Sequence, residues 1–394
     1  MEHFDLIVIG AGPAGGAAAF WAARAGLTVA LIDRKSFPRD KLCGGLVTGR
    51  ARRHYAAIFG HEMPFDPDQR KTTVDFRHRG QPIGVIQDAP TLCLAMRWDM
   101  DAMICGQALG AGARDFTGQE VSALNFSART VTLTDGRALA YGVLIGADGV
   151  NSQVAKRLFG QSFERAHIGF GLEIEATDPH LSPDAPIRID LAAAQWGYGW
   201  VFPKRRSTTI GVGGLLSGNP GMKRTMAAYC DSLGVTAPEA RIKGQFLPFG
   251  HFRRTPGRNA VLLAGDAAGL VDPITGEGIG HALHSGQLAA EAAISALAAH
   301  RPETALRRYR RALRPLHRSL RMARLIRPVI FAPALEPSFA RAFARSTTLR
   351  RQFLDLMAGD ADYGGILWRL ALRLPRLGLM ALQRRRIEEY TKSP

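Results

Sequence analysis

LIVIGAGPAGGAAAFWAARAGLTVALID, residues 6–33, decides how the rest of the chain is read. An apolar run from Leu6 to Ile9 leads into glycines at 10, 12 and 15 in GxGxxG spacing. A small-residue helix follows, and a second apolar run closes on an acid, Asp33. Strand, glycine turn, helix, strand and terminal acid form the pattern of a βαβ unit that holds a dinucleotide. Gly10 permits the tight turn, Gly12 lets backbone amides approach a pyrophosphate, and Gly15 lets the helix lie close on the sheet. Phosphate then meets the helix N-terminus, where free N–H groups and the helix dipole favour an anion. A carboxylate at Asp33 accepts hydrogen bonds from a ribose hydroxyl and argues against a 2′-phosphate.

With 394 residues the chain can bury a large core and build two or more lobes. Its apolar fraction of 46% and charged fraction of 22% are those of an ordinary globular protein, which excludes wholesale disorder. The four cysteines, Cys43, Cys93, Cys105 and Cys230, are scattered without a CxxC pair, so no structural zinc site, other metal centre or iron–sulfur cluster is expected. No targeting segment is visible ahead of the first strand, and no apolar run reaches the roughly 18 residues a bilayer span needs. The expectation is a cytoplasmic protein, soluble or lying peripherally on a membrane. Beyond His300 there are 21 arginines and lysines against seven acids, so most of the net charge of +17 sits in the last quarter. An anionic membrane surface and nucleic acid both attract such a block. Nucleic acid is set aside because neither a reading helix nor a stacking platform accompanies the charge.

After Asp33 the segment RKSFPRDKLCGGLVTGR carries Cys43-Gly44-Gly45. Paired glycines beside a thiol mark either close backbone approach to a ligand or a surface loop with a buried cysteine. Residues 70–91 alternate like a short sheet that leaves the first lobe. The segment LCLAMRWDMDAMICGQALGAGA then reads as a helix, with Arg97 at its start, positioned for a pyrophosphate or for solvent. The apolar run Val143 to Ile145 delivers Asp148 to a glycine turn, either as a ligand group or as the cap of the next helix.

From about 165 to 250 alternating segments predict an antiparallel sheet walling a substrate cavity. Within it, WGYGWVFPK places Tyr198, Trp200 and Phe202 on one strand face at period two. Trp196 extends the row, and Gly197 and Gly199 are read as leaving the opposite face bare for a flat apolar ligand, against the alternative of plain core. The glycine-rich GVGGLLSG at 211–218 is read as a turn.

The segment 259–300 gives a strand, Gly265-Asp266, a Pro-broken glycine link and a long small-residue helix. Helix amides beyond Gly276 and Gly278 suit the negative charge that gathers on the N1–C2 edge of a reduced flavin, which favours FAD over NAD. The tail is helical and rich in arginine. Its second half, GGILWRLALRLPRLGLMALQRRR, reads as a helix lying in a bilayer interface, one closing over a greasy substrate, or an ordinary packed helix.

Taken together, these stretches resemble the geranylgeranyl reductase family of flavoproteins, within the wider group that shares the fold of p-hydroxybenzoate hydroxylase. The likeness spans about residues 5–300. It rests on GAGPAG with Asp33, Arg97 in MRWDMD, GADGVNS at 146–152, GDAAG with Pro273 and GEGI, PRDKLCGG at 38–45, and the YxWxFP pattern of Tyr198, Trp200, Phe202 and Pro203. Many relatives read CGGG or CGGA where this chain has CGGL. The resemblance implies an α/β fold: a Rossmann-like FAD-binding domain from 1–72, 95–165 and 252–300, an inserted antiparallel-sheet substrate domain from 73–94 and 166–251, and a basic helical region over 301–394.

It further implies FAD contacts from Gly10, Gly12, Ala14, Gly15, Asp33, Arg34, Cys43, Gly44, Gly45, Arg97, Asp148, Gly149, Gly265, Asp266, Pro273, Gly276, Gly278 and Ile279. Cys43, Tyr198 and Trp200 are the implied catalytic residues, beside a prenyl tunnel. The implied reaction saturates isolated double bonds of a polyprenyl chain on a lipid, quinone or pigment, with NAD(P)H or reduced ferredoxin as donor. A monooxygenase or halogenase on the same fold is the rival expectation.

Overall fold

A computed structural model describes residues 1–177, 182–235, 242–249 and 251–365. The arginine-studded run from 366 to 386, including Arg369, Arg373 and Arg376, lies outside them.

The first apolar run, Glu2–Ile9, is central in an eight-stranded sheet. The order there is Gly257–Arg258, Val261–Leu263, Ala138–Gly146, Glu2–Ile9, Val29–Asp33, Arg114–Thr117. Every pair from Val261–Leu263 across to Arg114–Thr117 is parallel. Parallel strands need helical crossovers that cover both faces. That is why Leu6, Ile7, Val8 and Leu31 are fully buried rather than alternately exposed. The helices Pro13–Arg24, Arg97–Gly110 and Ile279–Ala298 pack together against this sheet.

A seven-stranded sheet lies beside it, ordered Lys243–Leu247, Gly169–Ala176, Thr208–Leu215, Tyr198–Pro203, Ile187–Leu191, Val74–His78, Gln81–Ile86. All its pairs are antiparallel except Val74–His78 with Ile187–Leu191. The excursion near residue 70 therefore contributes two edge strands. Leu92–Leu94, which periodicity alone merges with the following helix, is a separate strand between Leu46–Val47 and Arg70–Lys71.

The glycine-rich run read as a turn is mostly strand. Thr208–Leu215 crosses the sheet, and only Leu216–Gly218 turns. Its glycines serve packing: Gly211 pairs with Trp200, and a Cβ on Gly211 would collide with the indole. A strand glycine marks the close approach of another group as often as it marks a turn.

Helices Arg314–Phe331, Glu336–Arg345 and Thr347–Ala358 cover one face of this sheet. Phe331, Phe343, Phe353 and Met357 join Phe76, Ile189 and Phe202 in one core, and Tyr198, Trp200, Met322 and Ile326 pack at its edge. Among the described residues no helix is long and apolar enough to cross a membrane.

The helices Pro13–Arg24 and Ile279–Ala298 pack backbone to backbone, and a methyl on Gly286 would stand 2.1 Å from the Ala14 carbonyl oxygen. Gly106, in the helix Arg97–Gly110, has nothing within 4 Å of the same position. Gly286→Ala is expected to cost about 1–3 kcal/mol by forcing the helices apart. Gly106→Ala is expected to gain about 0.5–1 kcal/mol from helix propensity. Denaturant melts of the two variants measure both, and opposite signs are the expected result.

Candidate active site

Parallel strands end together, so their C-terminal edge is where the chain must turn and where ligands meet an α/β sheet. Gly10 begins that turn with φ +101°, and its N–H donates to the Ile32 carbonyl at 2.7 Å. Gly15 lies so near that a side chain there would overlap the Gly10 carbonyl. Asp33 ends the next strand, 8% exposed, and accepts from the amides of Ala11 and Lys35 at 2.9 Å each. Ala14 is buried in the helix, and Arg34 is exposed just beyond the strand.

Around this turn the structure gathers charges that motif spacing does not reveal. Arg39 lies 3.5 Å from where a Gly12 side chain would sit, 3.2 Å from Asp101 and 3.8 Å from Asp33. Arg97 donates to both oxygens of fully buried Asp101, at 2.7 and 2.8 Å, so it is held within its own helix. Burial alone lowers the Arg97 guanidinium, but Asp101 and the Cys43 thiol outweigh it and hold the group above its usual range. Lys41 is pushed down by burial and then by Arg97. Asp266 is pushed up by burial, with Lys41 and Arg97 opposing. Arg39 and Lys41 belong to PRDKLCGG, so the signal was present, but a loop gives no periodicity to say which side chains turn inward.

Asp148 supports the start of the helix Gln153–Phe159 together with its N-cap Ser152, whose Oγ accepts from the Ala155 amide at 2.9 Å. Ser152 Oγ donates to Asp148 Oδ1 at 2.5 Å, and the amides of Gln153 and Val154 donate to Oδ2 at 2.7 and 3.2 Å. Gly149 supplies the positive φ of that turn. An acid placed just ahead of a helix start satisfies the free amides there, which is the alternative that the strand-end position left open.

Gly265 and Gly278 flank Asp266. An added Cβ on Gly265 would lie 3.0 Å from Ala14, and one on Gly278 would lie 3.6 Å from Asp266 Oδ1. Gly278 caps the helix Ile279–Ala298 and Gly12 caps Pro13–Arg24. Neither helix has a side-chain cap or an acid in its first turn. Two long helices thus present bare N-terminal amides beside a cluster of three cations. That cradle suits the diphosphate and the electron-rich ring edge of FAD.

Pro273 and Gly276 lie in the turn between. Asp272 Oδ1 accepts from the Ile274 and Thr275 amides at 2.8 and 2.9 Å. Tyr363, 1% exposed and from the tail, donates to both Asp272 oxygens at 2.8 and 2.9 Å, with its phenol held up by burial and then by Asp272. Glu277 bonds Thr48 at 2.5 Å and Arg50 at 2.6 Å. Burial pushes its carboxyl up to about 7 against the pull of Arg50. Nothing in the local sequence around residue 363 signals this tie.

The aromatic strand faces the same region. Tyr198, Trp200 and Phe202 form a row with ring centres 6.0 and 6.4 Å apart, as period two requires. Tyr198 donates to the Thr275 carbonyl at 2.6 Å, and its hydroxyl lies 2.6 Å from the position a Cβ on Gly276 would take. Cys43 and Gly44 lie at the other end. A Gly44 side chain would press on Phe202 and on Trp200 Nε1, a buried donor without a partner. Gly45 has φ +76° and its carbonyl accepts from the Ala95 amide at 2.9 Å.

The opposite face of this strand is not bare. A Cβ on Gly199 would meet Tyr229 of the helix Met222–Ser232 at 2.7 Å, and one on Gly197 would overlap the Gly213 carbonyl. These glycines admit protein, and Gly211 and Gly213 on the other face likewise make room for the Trp200 indole. Trp196 sits in the preceding turn at φ +56°, with Arg327 stacked on its ring.

A glycine turn on a parallel sheet, an acid at the end of the second strand and bare helix ends beside an aromatic row define an FAD-dependent oxidoreductase. A family model for FAD dependent oxidoreductase matches residues 5–79, and one for lycopene cyclase protein matches residues 95–371. A menaquinone reductase of Mycobacterium tuberculosis is 32% identical over 95% of this chain and 97% of its own. A geranylgeranyl diphosphate reductase of Rhodobacter capsulatus is 31% identical over 76% of this chain and 77% of its own. A geranylgeranyl bacteriochlorophyll reductase-like structure from Thermoplasma acidophilum superposes with a TM-score of 0.75 at 20% identity, covering 94% and 99% of the two chains. The chain belongs to the geranylgeranyl reductase family, and its cofactor is FAD.

Tyr363→Phe removes a hydrogen bond shared between the two oxygens of a buried acid, which is expected to cost about 1.5–3 kcal/mol of stability. It should also speed FAD release, since Asp272 then lacks its tie to the tail. Denaturant melts and the rate of flavin fluorescence recovery on dilution measure the two effects.

Proposed function

We propose that the protein saturates isolated double bonds of a polyprenyl chain carried on a lipid, quinone or pigment. The observation that carries the reading is the contact of the Cys43-Gly44-Gly45 loop with the aromatic row of Tyr198, Trp200 and Phe202, which helices of the tail cover with apolar side chains. The names borne by the menaquinone and geranylgeranyl relatives support it.

Bound FAD, once reduced, supplies a hydride. The protein's part is to hold the alkene dry, to deliver a proton, and to stabilise positive charge at the more substituted carbon. Tyr198 and Trp200 offer ring faces for that charge. Cys43 carries the proton, directly or through a water. Gly10, Gly12, Asp33, Gly265, Gly276 and Gly278 hold the cofactor, with Arg39, Arg97 and Lys41 beside the diphosphate. The reducing equivalents come from NAD(P)H or from a reduced ferredoxin on the basic surface, and anaerobic bleaching of the flavin band by each identifies the donor.

Photoreduced protein given prenyl lipids without oxygen is expected to return product two hydrogens heavier by mass. Oxygen consumption with a hydroxylated or halogenated product overturns the reading in favour of a monooxygenase or halogenase. Cys43→Ala is expected to keep FAD and slow saturation by roughly 10²-fold or more, the scale of a lost general acid. Unchanged turnover removes the thiol from the mechanism.

The substrate is membrane-borne, and the helix Arg314–Phe331 supplies the contact. Leu325 and Val329 are 74% and 50% exposed, and Leu335 is 47% exposed just beyond. Arg318, Arg321 and Arg324 stand exposed beside them, and no acid is exposed between Arg314 and Leu335. Apolar side chains among arginines with no acid beside them in sequence fit an anionic lipid surface. Leu325→Glu with Val329→Glu is expected to abolish co-sedimentation with phosphatidylglycerol vesicles while FAD content is unchanged. Equal sedimentation of variant and wild type excludes this face.

A further inference from the structure

Glu173 is an acid where an apolar residue is expected, 6% exposed in the strand Gly169–Ala176. It pairs across the sheet with Gly211, which in turn pairs with Trp200. Directly opposed residues share a face, so Glu173 stands on the same floor as the indole. The Trp200 ring lies over Gly211 and Gly213, whose missing side chains leave room for it. From this floor Glu173 Oε1 accepts the backbone N–H of Cys43 at 2.7 Å, across 130 residues of sequence. Gly44 then presses on Trp200 and Phe202, and the Gly45 amide turns back to the Cys43 sulfur at 3.4 Å.

The groups around this carboxyl come from every neighbouring element. Lys204 follows the aromatic strand and pairs with Glu175 at 3.3 Å, while Ser207 and Thr209 also donate to Glu175. Lys41 approaches from the loop. Lys243 pairs across the sheet with Glu173, but its ammonium is engaged by Asp40. Two carboxylates therefore compete for the buried lysine, and Glu175, the more exposed, has it.

We propose that Glu173 is a positioning residue whose carboxylate clamps the Cys43-Gly44-Gly45 loop onto the tryptophan floor, and that its protonation loosens the clamp. An ionised acceptor holds an amide N–H about twice as strongly as a neutral one. Burial, opposed by Lys204 and by the Cys43 amide, pushes the Glu173 carboxyl up to about 7. With the folded carboxyl pushed up to about 7, the clamp is loosened well below pH 7 and complete above it. The proposal rests on the reading of Cys43 as proton carrier only for its consequence, which is that the thiol is correctly placed on the alkaline side.

The test needs no prenyl substrate and reads the thiol itself. Cys93, Cys105 and Cys230 are 2% exposed or less, whereas Cys43 is half-buried, so iodoacetamide labels Cys43 selectively and peptide mapping assigns it. FAD-loaded wild type and Glu173→Gln are labelled from pH 5.5 to 8.5, and the ratio of their rates is read at each pH. Gln keeps the shape and stays neutral, so it stands for the loosened clamp at every pH. The expected ratio is near one below pH 6, falls through an inflection near 7, and reaches about one-fifth to one-tenth above pH 8. Glu173→Ala, checked for retained FAD, should label at least as fast as Gln throughout. A flat ratio, or an Ala variant that labels like wild type at pH 8, overturns the proposal whatever the enzyme's substrate proves to be.

Discussion

The geometry of this site depends on one close approach: the helix Pro13–Arg24 lies against both the turn at Gly10 and the helix Ile279–Ala298, with no side chain between them. In these two contacts a methyl group on Gly15 or on Gly286 would strike backbone carbonyl oxygen. Backbone cannot swing away as a flexible side chain can, so a larger residue at either place separates the elements. The contact matters because both helices begin at glycine and neither is capped. Brought side by side, their amides form a single field at the edge of the sheet, where either helix alone offers a weaker one.

Charge in the cleft follows from that field. Arg39, Arg97 and Lys41 are balanced by Asp33, Asp101 and Asp266, all at least half-buried. Buried ions are tolerated where partners and hydrogen bonds offset desolvation. Asp101 meets this fully, holding Arg97 at two points and Arg39 at a third. Lys41 and Asp266 do not: burial dominates the perturbation of each, pulling one down and the other up. These two groups are the adjustable part of the cluster, and a diphosphate beside the helix ends meets cations whose pairing is incomplete.

What the sequence revealed divides along contact range. The glycine turn, the acid at Asp33 and the period-two aromatic row are local patterns, because their meaning is contained in a strand or in one βαβ unit. Gly199 is read as baring a face and Gly211 as part of a turn, because what each makes room for depends on pairing. Gly199 admits Tyr229 from a helix further along the chain, and Gly211 admits Trp200 from the neighbouring strand. Asp148 was ambiguous for a related reason, since an acid at a strand end and an acid ahead of a helix are the same residue until the next turn is seen. Tyr363 and Glu173 left no local trace, as their partners lie 91 and 130 residues away.

Those two distant contacts show how the second lobe is made to matter to the first. The loop 39–45 leaves the nucleotide sheet beside Asp33 and is anchored on the other sheet by Glu173, Trp200 and Phe202. The turn 272–278 leaves the same sheet beside Asp266 and is anchored outward by Tyr198 and Tyr363. Each segment begins in the cofactor cleft and ends on the aromatic row or the tail that packs against it. A loop fixed at both ends transmits displacement between its anchors only if the anchors themselves are rigid. Strand pairing makes Glu173 and Tyr198 rigid, whereas Tyr363 rests on a helical region held mainly by side-chain packing. Tyr363 is therefore the softer of the two outer anchors of the turn 272–278, and Tyr198, fixed by its neighbours in the sheet, is the firmer.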